Sequence, residues 1–306
     1  MPFSPEKDIP DLSGKVIIVT GGSSGLGKES ALQLAKHNPA AIYLTARTEA
    51  RGAAAIREIQ AAVPSAKDTI KFLELDLGSF ASVQKAAATF LASSDRLDIL
   101  MNNAGLLASA AGLTPDGYET QFGSNYMGPS LFTKLLLPVL ARTAERPGAD
   151  VRVVNLSSEL FKQAPKGGIL LDSVKTPMHN ISSVARYGQS KLADYYHTRV
   201  LSRLYPAIKF VGIHPGVVNT GIFDDLVSRQ PWLSGVAGVI GSVFLTDVRT
   251  GVRTQLWAST ADRATVKSGG FYNQKIKEFK EAILYDDKAA QELWDWTERE
   301  FESKGV

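Results

Sequence analysis

The sequence predicts an α/β fold, a doubly wound parallel sheet flanked by helices, formed as a single domain over residues 1–306. Three observations predict it. Short apolar runs alternate with helix-length stretches along the chain. Those runs lack the in–out alternation of a half-solvated sheet, so they read as strands covered on both faces. No Pro/Gly/Ser-rich linker and no internal repeat divides the chain. Strand–helix–strand units with right-handed crossovers then place helices on both faces of one sheet.

Lys15–Thr20 (KVIIVT) is predicted as the first strand and Leu26–His37 as the helix after it. Ala41–Ala46 (AIYLTA) is the second strand, followed by a helix over Glu49–Val63. Thr69–Leu75 and Phe80–Ala92 form the third strand and helix, and Leu97–Met101 a short fourth strand. A long helix is predicted over Glu119–Ala144, then a fifth strand at Val151–Leu156. Ala185–Leu204 reads as a helix and Ile208–Ile213 as the sixth strand. Ala289–Phe301 is amphipathic and holds Trp294 and Trp296, which reads as a core-packing helix rather than a partner site.

Composition bounds the partners. Hydrophobic residues make up 44% and charged residues 21%, enough to bury a full core. The net charge is +3 and no run of five basic residues occurs, which argues against nucleic acid. With no cysteine, a disulfide framework, a thiolate metal site and a thiol nucleophile are all excluded. His37, His179, His197 and His214 are scattered, so no metal site is expected. The first residues, MPFSPEKDIPDLSGK, lack the apolar core of a signal peptide. No stretch reaches the roughly 18 apolar residues of a membrane span. The expectation is a soluble, cytoplasmic protein.

In sheets of this kind ligands bind beyond the carboxyl ends of the strands. The first strand ends in Thr20-Gly21-Gly22-Ser23-Ser24-Gly25-Leu26-Gly27. Glycines 21, 25 and 27 permit a tight turn and let backbone N–H groups approach a pyrophosphate. The following helix aims its N-terminal dipole at the same charge. This spacing, Thr-Gly-x-x-x-Gly-x-Gly, resembles that of the short-chain dehydrogenase/reductase family, whose fold is Rossmann-type.

At the end of the second strand, where an NAD-binding fold places an acid, stands Ala46, followed by Arg47. A guanidinium forks onto a ribose 2′-phosphate, and Arg51, one turn later, adds to the same site. The alternative is that both are solvated charges at a helix start, which opposes the dipole. The cofactor expected is NADP(H).

The resemblance extends in the family's order over residues 14–221. Asp76, with Leu77, matches the residue that contacts adenine, and Asn102-Asn103-Ala104-Gly105 matches the loop after the fourth strand. Pro215, Gly216, Val218, Asn219 and Thr220 match the loop on the nicotinamide side, with Thr220 implied to bond the carboxamide. The Leu44-Thr45-Ala46-Arg47 and Ser268-Gly269-Gly270-Phe271-Tyr272 runs look like the retinol-dehydrogenase-like and carbonyl-reductase-like branch, as does the long segment between Ser158 and Tyr187.

Tyr187-Gly188-Gln189-Ser190-Lys191 places a phenol and an ammonium one helical turn apart. The ammonium favours phenolate and is expected to move the phenol toward working pH, where proton transfer is effective. Ser158, the second of the Ser157–Ser158 pair after the fifth strand, is the family's match for the residue that holds the substrate oxygen. Without the family the pair reads equally as a strand-end turn. Asn125 matches the family's helix Asn, implied to kink its helix and support a water in the proton relay. The family implies hydride transfer from the B face of nicotinamide. It also implies that the long helices after the fourth and fifth strands are where a homodimer would pair.

The substrate side is the variable part. Residues 222–247 are read as the substrate-binding lid region and 270–306 as a C-terminal extension. Within the former, Pro231–Leu245 is uncharged and apolar. It fits a mobile lid over an apolar substrate, a buried helix, or a patch resting on a membrane. Phe223, Trp232 and Phe244 are the lid aromatics of the first reading. The expected substrate is a lipophilic ketone or aldehyde, or the matching secondary alcohol. Two alternatives remain open: a non-catalytic NADP sensor on the same fold, and a reductase of an imine or an aromatic phenol tautomer.

Overall fold

The structure is a computed structural model that describes residues 3–107, 109–216, 218, 246–279 and 286–306. Thr220 and the 231–245 segment, with Phe223, Trp232 and Phe244, lie outside the described residues.

The strands are β1 (Val16–Val19), β2 (Ala41–Ala46), β3 (Ile70–Glu74), β4 (Ile99–Asn102), β5 (Arg152–Leu156), β6 (Lys209–Ile213) and β7 (Phe271–Tyr272). They form one seven-stranded sheet in the order β3-β2-β1-β4-β5-β6-β7. Every ladder is parallel. β1, β2, β4 and β5 are buried along their whole length, as the uniformly apolar runs require.

The helices that matter for the site are α1 (Gly25–Ala35), α2 (Glu49–Ala62), α3 (Phe80–Ser93), α4 (Gly128–Ala144), α5 (Ser183–Leu204), α6 (Arg253–Thr260) and α7 (Asp287–Ser303). They cover both faces of the sheet, so two apolar clusters form, one on each side. Chain order reverses between β1 and β4. There the connections leave toward opposite faces and open a crevice at the carboxyl end of the sheet.

Four elements differ from expectation. β3, at the edge of the sheet, is not covered on both faces, with Lys71 and Glu74 exposed. The helix expected over Glu119–Ala144 is interrupted: one turn at Thr120–Phe122 leads into a π-helical turn at Gly123–Met127 before α4 begins. The segment assigned to a C-terminal extension begins inside the sheet, because Phe271–Tyr272 pairs with Gly212–Ile213 as β7. α7 packs on the outer side of α4 and α5. Leu293 and Phe301 are buried, and the hydroxyls of Thr297 and Tyr126 lie 2.8 Å apart. His197 of α5 stacks on Trp294 with ring centroids 5.8 Å apart. The face of α4 and α5 where a dimer would pair is thus met by the chain's own last helix. Among the described residues no helix is long and apolar enough to cross a membrane.

Candidate active site

The crevice holds a cavity of about 640 Å³. Its wall at one end is the turn from β1 into α1. Ser24, the N-cap of α1, makes no side-chain capping bond, so the first-turn N–H groups are left open toward the cavity. Gly21 and Gly25 adopt positive φ, 65° and 52°. Gly27 lies behind the cradle. A Cβ there would stand 2.4 Å from the Gly21 carbonyl oxygen, so only glycine lets helix and turn close together. The turn is tied down by a threonine on each side. Thr20 Oγ1 accepts from the N–H groups of Asn103 and Ala104, both at 3.0 Å, and Thr45 Oγ1 accepts from Gly21 N–H at 3.1 Å. Open amides, a helix dipole and a backbone free of side chains fit the phosphates of a dinucleotide.

Arg47 and Arg51 line the cavity beside Ala46. Both are exposed, and neither has an ion-pair partner among the described residues. Asp76 and Leu77 form the wall after β3, where the Asp76 carboxylate accepts from Gly78 N–H at 2.9 Å. Ser23, Leu26, Asn103, Ala104, Gly105, Pro215, Gly216 and Val218 line the same space.

At the far end stand Tyr187, Lys191 and Ser158. α5 presents Tyr187 and Lys191 on one face, with the ammonium 5.8 Å from the phenol ring centroid. Gly188 lets the turn after Ser158 press against α5: a Cβ at 188 would meet the Leu160 carbonyl oxygen at 2.5 Å. Ser158 lines the cavity with Tyr187, and its hydroxyl acts to lower the phenol's pKa. The Ser157 hydroxyl instead donates to the Lys191 carbonyl oxygen at 2.8 Å. The two serines differ in their contacts: Ser157 is tied to the Lys191 carbonyl, whereas the Ser158 hydroxyl accepts from Leu160 N–H at 3.2 Å and acts on the phenol.

Asn125 does not line the cavity. It sits in the π turn, buried, where its amide holds Leu106 and the Ser190 hydroxyl. Its grip places Gly105 beside Lys191: a Cβ at 105 would lie 3.8 Å from Nζ.

The electrostatics depart from expectation. Burial pushes the Tyr187 phenol above its ordinary value. The Lys191 ammonium and the Ser158 hydroxyl pull it down, and the Asp194 carboxylate pushes it up again, for a net rise. The expectation of a net lowering left out burial, the largest of these effects, and the smaller push from Asp194. Lys191 Nζ donates to Asp194 Oδ2 at 2.8 Å and to the Leu156 carbonyl oxygen at 2.7 Å. Burial lowers the proton affinity of Lys191, but Asp194 and Tyr187 outweigh it and hold the ammonium charged.

Several residues of the site escaped sequence reading. Thr45 is a polar side chain closing an apolar strand, a detectable signal. Asp194, an acid one turn past Lys191, reads in the sequence as a solvated face and gives no such signal. His214 and Glu159 line the substrate end with Leu106, Leu107 and Leu160. Arg186 donates to the Glu119 carboxylate at 2.7 Å and to the Ser109 carbonyl oxygen at 3.1 Å, fixing the loop after Gly105. Nothing local in the sequence links those positions.

Residues 15–169 match the family model described as short chain dehydrogenase. The chain is 38% identical to an uncharacterized oxidoreductase of Schizosaccharomyces pombe, over 96% of this chain and 87% of that one. It is 32% identical to retinol dehydrogenase 12 of Mus musculus, over 93% of this chain and 85% of the mouse protein. The solved structure of an uncharacterized protein from Mycobacterium paratuberculosis superposes with a TM-score of 0.75 at 25% identity, over 99% of this chain and 98% of the other. Fold, crevice and similarity agree: the chain belongs to the short-chain dehydrogenase/reductase family and is an oxidoreductase of that family.

Proposed function

We propose that the protein is an NADPH-dependent reductase of small lipophilic ketones or aldehydes, with Tyr187 as general acid. One observation supports this above the others. A single cavity has a phosphate cradle flanked by Arg47 and Arg51 at one end, and Tyr187, Ser158 and Lys191 among apolar side chains at the other.

When bound, the nicotinamide cofactor supplies the hydride. The chain's own residues do the rest. The Ser158 hydroxyl holds the substrate oxygen against the Tyr187 phenol, which turns an encounter into a fixed geometry. Tyr187 gives its proton to that oxygen as negative charge develops there. Lys191 stabilises the phenolate left behind, being the nearest cation on the same helix face. Leu106, Leu107 and Leu160 give the substrate end an apolar lining. Arg47 and Arg51 supply two positive charges for a 2′-phosphate, and Ala46 leaves no acid to repel it. A sensor would need only the cradle, so the phenol–ammonium–hydroxyl arrangement favours catalysis.

The test is NADPH consumption by wild type and Tyr187→Phe on apolar ketones, aldehydes and quinones, with NADH for comparison. Turnover that prefers NADPH and collapses in Tyr187→Phe, while cofactor binding persists, is the expected result. Tight NADPH binding with no turnover of any carbonyl overturns the reading in favour of a sensor or a non-carbonyl acceptor.

A further inference from the structure

Lys191 and Asp194 lie one turn apart on α5, both buried, with side chains 5% and 10% exposed. The ammonium donates to Asp194 Oδ2 at 2.8 Å and to the carbonyl oxygen at the end of β5, Leu156, at 2.7 Å. Two of its three protons are thereby committed to the protein, and one remains for the cavity. The helix is held in this register from behind. Thr198 Oγ1 donates to the Asp194 carbonyl oxygen and accepts from Asn155 Nδ2, and Asn155 Oδ1 accepts from Asn102 Nδ2.

We propose that Asp194 is a positioning residue of the reaction: it anchors the Lys191 ammonium against β5 and offsets the positive field that Lys191 exerts on the Tyr187 hydroxyl. The inference rests on the proposed role of Tyr187 as proton donor.

The charged surroundings of the phenol are few. From its own helix Lys191 and Asp194 act on it, and His197, one turn beyond Asp194, is held neutral by burial. The π turn contributes Tyr126, a neutral phenol under the same Asp194 field. β5 and its turn contribute Asn155, Ser157 and Ser158, then Glu159 at the cavity wall. The loop after β6 contributes His214, which burial holds neutral. Among the described residues, only the Lys191–Asp194 pair places charge on Tyr187 itself. A bare ammonium there would stabilise phenolate. Burial already raises the phenol, and a paired ammonium pulls it down less, so the proton stays on the phenol at working pH. Reduction needs that proton, whereas alcohol oxidation needs the phenolate, so the pairing suits the reductive direction.

The experiment is a titration of phenolate absorbance in the full chain, for wild type and Asp194→Asn. Each is referenced to the same protein carrying Tyr187→Phe, so that only Tyr187 is read. Removing the carboxylate charge is expected to lower the Tyr187 midpoint by about one pH unit. Asp194→Ser, which removes the charge with a smaller side chain, is expected to shift it the same way. Asp194→Glu, which keeps the charge, is expected to titrate like wild type. The alkaline limb of kcat/KM for reduction should move with the midpoint. An unchanged midpoint in whichever of Asp194→Asn and Asp194→Ser folds overturns the inference, as does an equal shift in Asp194→Glu. The titration needs no turnover. Absence of carbonyl reduction would sink the functional reading alone, and Tyr187-dependent turnover with an unmoved midpoint would sink this inference alone.

Discussion

Asn125 and Leu106 exchange a reciprocal pair of hydrogen bonds: the Asn125 amide oxygen accepts from Leu106 N–H at 2.8 Å, and its amide nitrogen donates to the Leu106 carbonyl oxygen at 2.9 Å. The side chain thus behaves as a short piece of strand for a loop that has left the sheet. The π turn is what aims it there, since a regular helix through Gly123–Met127 would rotate the amide away. Asn125→Leu strips both partners and leaves part-buried backbone groups unpaired, a cost of about 1 kcal/mol. Because the loop carries Gly105 beside Lys191, kcat should fall more than the stability loss explains at temperatures where the variant is folded. Denaturant unfolding paired with steady-state kinetics checks this. A variant as stable and as active as wild type would show that the loop holds itself.

The two serines after β5 separate chemistry from structure. Ser158→Ala removes the hydroxyl that faces Tyr187 and should lower kcat/KM by about a hundredfold, with cofactor affinity unchanged. Ser157→Ala removes a donor to the Lys191 carbonyl and should cost about 1 kcal/mol of stability. Its effect on kcat should be several-fold smaller. Kinetics and unfolding on both variants read the two columns side by side, and a reversed order of kcat losses would reassign the substrate contact to Ser157.

Gly188 sets the distance between the serine turn and the tyrosine helix. An added methyl group would lie 2.5 Å from the Leu160 carbonyl oxygen and 2.8 Å from Ala164 N, and backbone on both sides cannot swing away as a side chain would. Gly188→Ala is therefore expected to push the Glu159–Gln163 turn outward, at a cost of about 1–3 kcal/mol. Ser158 moves with that turn. The expected signature is a large loss of kcat with NADPH affinity retained, because the cradle lies at the opposite end of the cavity. Binding by cofactor fluorescence together with turnover separates this from general unfolding, which would lower both.

What the sequence disclosed follows from how each feature is encoded. Strands buried on both faces are written as continuous apolar runs, so β1, β2, β4, β5 and β6 appear within a residue or two of their bounds, and β3 does too although Lys71 and Glu74 are exposed on it. Two residues cannot show a period, so β7 at Phe271–Tyr272 was invisible as a strand, although its glycine-flanked run stood out. The cradle and the Tyr187–Lys191 pair were legible because their geometry is local, within one turn or one helix. Arg186 and Glu119 lie 67 positions apart, and no local pattern announces that the fold closes them into a buried ion pair. Asp194 was visible as a residue but not as a partner. On a helix so rich in polar side chains, an acid reads as a solvated face. α5 is instead buried around most of its circumference, with Arg186, Gln189, Lys191, Asp194 and His197 all inside.

His197 gives that burial a measurable consequence. Its ring stacks on Trp294 and meets Tyr126 edge-on at 5.7 Å, with the Ser130 hydroxyl 3.5 Å from Nδ1. Burial with no anionic partner drives its pKa down from 6.5 to about 3. The sign follows directly. Below pH 6.5 the unfolded chain takes up a proton that the folded chain refuses until about pH 3, so protons favour unfolding throughout that window. The contribution of His197 is fully present above the upper bound and declines by about 1.4 kcal/mol per pH unit as pH falls. Asp194 works in the opposite sense. Its folded pKa is raised to about 6, so as pH falls toward the ordinary carboxylate range it protonates first in the folded state. A wild-type curve therefore mixes the two effects. The difference between wild type and His197→Phe removes Asp194 from the comparison, since both proteins keep it. Phenylalanine fits the aromatic surroundings without the titration. The two stability–pH curves, measured by urea unfolding from neutral pH into the acid range, should diverge below pH 6.5, with the variant holding its stability. Parallel curves would mean that His197 takes its proton in the folded state and that α7 yields to let it do so.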